Sequence, residues 1–136
     1  MDNKVTLVRA HTDEIFELTA PWDNIYQGQQ TRMLFVCSAG LLRSPTAAKV
    51  AAQMGYNSRS CGSHSYALIP LSVNLLTWAQ KIFFLNEENY HESLDVFKFD
   101  PESIKLLKDK SIVWEIEDQF NYDDFTLKEE VKKLLS

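Results

Sequence analysis

A short apolar run that ends in a polar, glycine-containing loop constrains the fold of this chain more than any other feature. Residues 33–36 read Met-Leu-Phe-Val, which is typical of a central parallel strand buried on both faces. Cys37 follows directly, and the loop then leads to Ser44 as a helix cap, Pro45 as the first helical residue and a stop at Gly55. A strand, a tight loop and a helix in this order predict an α/β unit with the loop at the carboxyl edge of the sheet.

Apolar strand-like runs continue to alternate with amphipathic stretches along the rest of the chain. We predict strands at 58–61, 81–85 and 112–116 and helices from 70 to about 80, around Tyr90 and Leu94, and after Asp100-Pro101-Glu102. A last helix is predicted from the capping-box pattern Thr126-Leu127-Lys128-Glu129, with an apolar stripe of Leu127, Val131, Leu134 and Leu135. The chain therefore predicts an α/β fold, a single domain over residues 32–136 with a four-stranded parallel sheet and helices on both faces.

Residues 1–31 do not share this pattern and are interpreted as an N-terminal extension or arm. A strand is possible at 5–8, and the following loop, marked by Pro21 and Gly28, is rich in Trp22, Ile25 and Tyr26. Such aromatic residues usually find a core, which favours an arm packed across the domain. The alternative is a lid or a segment that binds a partner.

Composition excludes several classes of function. A chain of 136 residues fits one domain, and hydrophobic and charged fractions of 45% and 24% are ordinary for a soluble protein. A net charge of −5 argues against a nucleic-acid partner. Neither a membrane-spanning run nor a signal peptide is apparent, so we expect a cytoplasmic protein without a membrane partner. The two cysteines lack metal-type spacing, and we predict neither a metal site nor a cofactor.

The loop after the first strand carries the residues expected to do chemistry. Backbone N–H groups at a helix N-terminus can enclose an anion, and the same donors stabilise a thiolate, so Cys37 is the candidate nucleophile. Arg43 offers a planar fork for two phosphate oxygens, and Gly40 allows the positive φ that a ring-shaped loop requires. The alternative is a buried structural cysteine beside a surface arginine. The predicted phosphate-binding residues are Ser38, Ala39, Gly40, Leu41, Leu42, Arg43 and Ser44.

The stretch from 33 to 48, with Leu-Phe-Val-Cys, five further residues and then Arg-Ser-Pro-Thr-Ala, resembles the low-molecular-weight protein tyrosine phosphatase family. Residues 59–62 (Arg-Ser-Cys-Gly) resemble the family's turn after its second strand, and Ile116-Glu117-Asp118 resembles the late strand that delivers its general acid. The chain is most similar to the bacterial and phage branch, over residues 32–136. The resemblance implies a phosphatase that works in two steps through a cysteinyl-phosphate, on phosphorylated proteins or small phosphate monoesters.

Asp118 is the candidate general acid, because it follows a predicted strand and so lies on the same sheet edge as Cys37. Asp123 and Asp124 are the other carboxylates nearby, and the position of Asp124 suits a helix cap. The family's acid motif is Asp-Pro-Tyr, whereas this chain has Asp118-Gln119-Phe120. Low turnover is therefore a further expectation.

Two more departures concern the loop itself. Gly40 replaces a bracing asparagine of the family, and Leu42 replaces a second cysteine that can lock the nucleophile as a disulfide. Cys61 could form such a link instead, although a buried structural role is commoner for a cysteine there.

Three aromatic residues, Tyr66, Phe120 and Tyr122, lie on loops that could flank the pocket mouth and favour phosphotyrosine; the alternative is that they pack beneath those loops. His64 and His91 are interpreted as surface residues.

An arsenate reductase would need more cysteines, and a phosphotransfer subunit does not usually need Arg43. The non-enzyme alternative is a phosphate-loop binding module whose N-terminal arm recruits a partner.

Overall fold

The computed structural model of the protein describes residues 30–38, 40, 43–116 and 123–136. Four strands form one sheet in the order β2-β1-β3-β4, and every neighbouring pair is parallel. The strands are β1 (Arg32–Cys37), β2 (Asn57–Gly62), β3 (Lys81–Phe84) and β4 (Ser111–Val113). The predicted four-stranded parallel sheet is confirmed.

Five helices in the described residues cover the two faces of this sheet. They are α1 (Arg43–Gln53), α2 (Val73–Trp78), α3 (Glu87–Val96), α4 (Pro101–Lys110) and α5 (Phe125–Leu135). Buried residues of α1 and α5 share one core cluster, and buried residues of α2 and α4 share the other. The predicted α/β class with helices on both faces is therefore confirmed.

Strand β1 lies at the centre of the domain because its side chains alternate between the two cores. Met33 and Phe35 join the α1/α5 core, whereas Leu34 and Val36 join the α2/α4 core, and none of the four is more than 4% exposed. Phe35 stacks on a ring of β3, with 5.0 Å between centroids. Burial on both faces is what an apolar run without alternation predicts for a parallel strand.

Two helix starts differ from the prediction. α1 begins at Arg43, so Ser44 and Pro45 lie inside its first turn and Ser44 is not the cap. α2 begins at Val73, where Ser72 caps it by accepting a hydrogen bond from the amide of Leu75 at 3.3 Å. The predicted start at Pro70 is wrong because the backbone there is still extended, with an isolated parallel bridge from Pro70 to Gly62.

The C-terminal elements also begin earlier than predicted. β4 is Ser111–Val113 rather than 112–116. In α5 the cap is Asp124, which accepts a hydrogen bond from the amide of Leu127 at 3.1 Å, so the capping box predicted from Thr126 is wrong. Leu127 and Val131 are buried as predicted, but Leu134 is 45% exposed.

Within the described residues, none of the helices combines the length and the apolar character that crossing a membrane requires. The predicted arm falls almost entirely at residues 1–29, outside the described residues, and its boundary at 31 stays a prediction.

Candidate active site

The parallel sheet brings the predicted nucleophile to its carboxyl edge. Cys37 is the last residue of the central strand β1, it is 3% exposed, and it pairs in register with Gly62 at the end of β2. The pairing continues past both strands, since the amide of Ser63 donates to the carbonyl of Cys37 at 2.8 Å and the amide of His64 donates to the carbonyl of Ser38 at 3.0 Å. The first residues of the loop are therefore fixed by backbone contacts.

Ser44 links the thiol to the neighbouring strand. Its hydroxyl oxygen lies 3.1 Å from the sulfur of Cys37 and 3.2 Å from the carbonyl oxygen of Cys61, and Ser44 is fully buried. A hydroxyl has one hydrogen to donate. With a thiol at Cys37, that hydrogen serves the Cys61 carbonyl; with a thiolate, it can rotate to the sulfur. The sequence predicts Ser44 at this site, and the structure places it against Cys37.

Arg43 opens α1 and is only 2% exposed. One guanidinium nitrogen, Nη1, donates to the carbonyl of Ile116 at 3.0 Å. Ile116 is itself held on the sheet edge, because its amide donates to the carbonyl of Leu85 at 2.8 Å. The arginine that ends the loop is thus joined to the chain two residues before Asp118.

Gly40 takes a positive φ of 72°, as predicted for one position of the loop. A second constraint is equally strong: a Cβ at Gly40 would lie 2.9 Å from the carbonyl carbon of Cys61 and 2.9 Å from the amide nitrogen of Gly62. The loop therefore packs directly on the backbone of β2. In this backbone the family's asparagine does not fit at Gly40, so a side chain at that position cannot brace the loop.

A polar cluster that the sequence did not reveal supplies that bracing. The side-chain nitrogen of Asn89, on α3, donates to the hydroxyl oxygen of Ser38 at 2.9 Å. Glu92, one turn further along, accepts from the hydroxyl of Ser63, and its other oxygen lies 3.0 Å from Nε2 of His64. His64 was interpreted as a surface residue; it is partly exposed but belongs to this cluster. The available signal was the spacing of polar residues 89, 92 and 93 on one side of a helix, whereas the burial of Asn89 and Ser93 is seen only in the structure.

Tyr66 was predicted to flank the pocket mouth. It is 72% exposed, and its ring stacks on the ring of His64 with 4.7 Å between centroids. Since His64 contacts Ser38 through its backbone, this stacked pair lies beside the start of the loop. The alternative that Tyr66 packs beneath its loop is not what the structure shows.

Several predicted site residues lie outside the described residues, and their roles stay predictions. They are Ala39, Leu41 and Leu42 of the loop, the general acid Asp118, and the flanking residues Phe120 and Tyr122.

The two neighbouring carboxylates have other contacts. Asp124 caps α5, as the sequence suggested. Asp123 accepts a hydrogen bond from Lys49 of α1 at 3.1 Å and lies 3.4 Å from Lys128; the Lys49 hydrogen bond, aided by the charge of Lys128, holds the pKa of Asp123 below its ordinary value. The amide of Asp123 also donates to Thr46 at 2.7 Å. Both residues thus fix the chain that follows residues 117–122 onto α1 and α5.

Cys61 is buried, and both cysteines are free. Its side chain belongs to the α2/α4 core, whereas Cys37 belongs to the α1/α5 core on the other side of the sheet. Burial raises the pKa of the Cys61 thiol well above its ordinary value, and the electrostatic effect of the nearby Cys37 raises this pKa further. This arrangement argues against a Cys37–Cys61 disulfide.

No protein-family model matches the chain, and no curated protein sequence matches it. Solved structures do. YwlE arginine phosphatase from Geobacillus stearothermophilus is similar at a TM-score of 0.59 and 18% identity, over 77% of this chain and 88% of that one. Wzb from Vibrio vulnificus, in complex with benzylphosphonate, is similar at a TM-score of 0.60 and 13% identity, over 79% and 97%.

A cysteine-to-serine mutant of YwlE with a phosphorylated active-site serine is also similar, at a TM-score of 0.58 and 16% identity, over 77% of this chain and 91% of that one. Identities this low show a shared fold. The chain therefore shares its fold with YwlE arginine phosphatase and with Wzb, in agreement with the α/β fold that its sequence predicts.

Proposed function

We propose that this protein is a cysteine-dependent phosphatase that hydrolyses phosphate monoesters, with phosphotyrosine in proteins as the favoured substrate. The observation that carries the proposal is the contact between the sulfur of Cys37 and the hydroxyl of Ser44, at the base of a loop that ends in Arg43. A cysteine in contact with a hydroxyl, in a loop that ends in a buried arginine, suits nucleophilic attack on an anion.

In the first step the thiolate of Cys37 attacks phosphorus, so that an S–P bond forms as the P–O bond of the ester breaks. Asp118 donates its proton to the departing oxygen, and the alcohol or phenol leaves. Arg43 binds two of the phosphoryl oxygens as their charge is redistributed. The mutant neighbour with a phosphorylated active-site serine supports a covalent phosphoenzyme on this fold.

In the second step water hydrolyses the cysteinyl-phosphate. The carboxylate of Asp118 takes a proton from water, the oxygen of water bonds to phosphorus, and the S–P bond breaks to release inorganic phosphate and the Cys37 thiolate. The hydroxyl of Ser44 is placed to donate to the leaving sulfur, 3.1 Å away. No other co-reactant is needed.

The exposed Tyr66 favours an aromatic leaving group. Its ring, stacked on His64 beside Ser38, offers a flat wall against which a phenyl phosphate can pack. One structural neighbour is an arginine phosphatase, and another was solved in complex with benzylphosphonate, so both a phosphoarginine and a benzyl-like phosphate belong among the substrates to test.

The test compares hydrolysis of para-nitrophenyl phosphate, a phosphotyrosine peptide and a phosphoarginine peptide by the wild type, Cys37→Ser, Asp118→Asn and Asp124→Asn. Cys37→Ser should abolish turnover, and Asp118→Asn should lower kcat by roughly a hundredfold or more, which is the usual loss when a general acid is removed. Asp124→Asn is the matched control, since asparagine caps a helix as well as aspartate.

Preference for the phosphoarginine peptide would keep the phosphatase and replace the substrate class. If the wild type binds vanadate tightly but hydrolyses none of the three substrates, the binding-module alternative replaces the proposed enzyme.

A further inference from the structure

The hydroxyl of Ser38 can both accept and donate a hydrogen bond, and one of its acceptor positions is already in use. It accepts the hydrogen bond from Asn89 at 2.9 Å, and among the described residues no acceptor receives its own hydrogen. Ser38 is half-buried and directly follows the nucleophile in a loop that we propose to bind phosphate. A hydroxyl whose lone pair is occupied in this way is oriented to donate in another direction.

Asn89 is itself held in one position. It is fully buried in the first turn of α3. Its backbone amide nitrogen donates to the capping side chain of Asn86 at 3.0 Å, and its backbone carbonyl oxygen accepts from the hydroxyl of Ser93 at 3.0 Å. A side chain fixed at its backbone on both sides loses little freedom when it makes a further contact.

Glu92 decides which way the amide of Asn89 points. The side-chain nitrogen of Asn89 lies 3.5 Å from a carboxylate oxygen of Glu92. If the amide were flipped, its oxygen would face that carboxylate, and two acceptors without a hydrogen between them repel each other. The same Glu92 oxygen also accepts from Ser63, and the other lies 3.0 Å from Nε2 of His64, so the carboxylate is anchored to the loop after β2.

We infer that Asn89, oriented by Glu92, is a positioning residue that turns the hydroxyl hydrogen of Ser38 toward the bound phosphate. This inference rests on the proposed function, because the ligand is the anion of that site. It also explains how the loop is braced without an asparagine at Gly40: the side-chain hydrogen bond comes from α3, on the opposite side of the sheet from α1.

The reverse orientation would have the opposite effect. An oxygen of Asn89 facing Ser38 would accept the hydroxyl hydrogen and leave only a lone pair for the phosphate, which repels an anion. The direction of one hydrogen bond therefore decides whether Ser38 attracts or repels the ligand.

The test measures vanadate and inorganic phosphate affinity of the full chain by isothermal titration calorimetry. Ser38→Ala should weaken both by about 10- to 100-fold, the usual loss for a hydrogen bond to a charged group. Ser38→Thr keeps the hydroxyl and should bind within about threefold of the wild type. Once Asn89→Ala is present, the loss caused by Ser38→Ala should be smaller by about threefold, because the freed hydroxyl must then be ordered by the anion among its three staggered positions.

Asn57→Ala is the matched control. Asn57 is also a fully buried asparagine, but it begins β2, at the opposite end of the strands from Cys37. This variant should leave anion affinity unchanged. If Asn89→Ala fails to fold, Asn89→Asp takes its place in the same cycle, since it has nearly the same volume and no side-chain N–H.

Wild-type affinity in Ser38→Ala would overturn the inference, and so would a Ser38→Ala loss that is equally large with Asn89 replaced. In turnover with para-nitrophenyl phosphate, Ser38→Ala should raise KM more than it lowers kcat. A failure of the proposed function is distinguishable: the binding cycle would hold while the wild type hydrolyses nothing.

Discussion

Replacing Gly40 by alanine tests how closely the loop packs on β2, and Gly55 provides the comparison. Both glycines have positive φ, 72° and 99°, so alanine at either position meets the same kind of backbone strain, about 1–2 kcal/mol. A Cβ at Gly55 would have no atom within 4 Å, whereas one at Gly40 would lie 2.9 Å from two backbone atoms of residues 61 and 62. Overpacking of this kind adds about 1–3 kcal/mol.

Gly55→Ala should therefore lower the free energy of unfolding by about 1–2 kcal/mol and Gly40→Ala by about 2–5 kcal/mol. Urea denaturation measures both. Because Gly62 pairs with Cys37, displacing the end of β2 should also move the base of the loop, so Gly40→Ala should lose vanadate binding and Gly55→Ala should keep it. Equal destabilisation by the two changes, with vanadate affinity intact in both, would refute the close packing of the loop on β2.

Three further predictions concern the thiols, the serine beneath the nucleophile and the helix contact of Asp123. Iodoacetamide should alkylate Cys37 in the native protein and leave Cys61 unmodified, since burial raises the pKa of Cys61; mass mapping that finds Cys61 modified without unfolding would contradict this. Ser44→Ala should lower kcat by about 10- to 100-fold through loss of the hydrogen bond to the sulfur, and unchanged kcat would remove Ser44 from the mechanism. Asp123→Asn should destabilise the protein at neutral pH and not at acidic pH. Because the pKa of Asp123 is lowered by folding, its contribution to stability is present above the unfolded-state pKa and is lost as the pH falls through the folded-state pKa. A difference in Tm that does not depend on pH would contradict the contact with Lys49.

Strands β1 and β3 were predictable because apolar runs buried on both faces are visible in the sequence itself. The boundaries of the helices were less predictable than these strands. Pro70 predicts a helix start by its fixed φ, yet its bridge to Gly62 keeps the backbone extended until Ser72 provides a cap. In the same way Asp124 competes with Thr126 for the cap of α5, and only the structure distinguishes them.

The residues of the candidate site also differ in whether the sequence could predict them. Cys37 and Arg43 could be predicted because they lie within one loop whose flanking strand and helix are recognisable. Asn89 is 51 residues from its partner Ser38, and a polar residue on a polar helix has the pattern of a solvated face. The complete burial of Asn89 distinguishes it from a solvated residue, and this burial depends on how α3 packs against the sheet.

The hydrogen bond from Arg43 to the carbonyl of Ile116 joins residues that are 73 positions apart. Long-range contacts form late, because the chain between them must first be ordered. During synthesis the loop, its strand and α1 all emerge before the acceptor does, so a nascent chain that ends before Ile116 has the nucleophile but not this tether for its arginine. The candidate phosphate-binding loop is therefore tethered only after the chain beyond α4 has been made, and the onset of anion binding should report that the whole domain has folded.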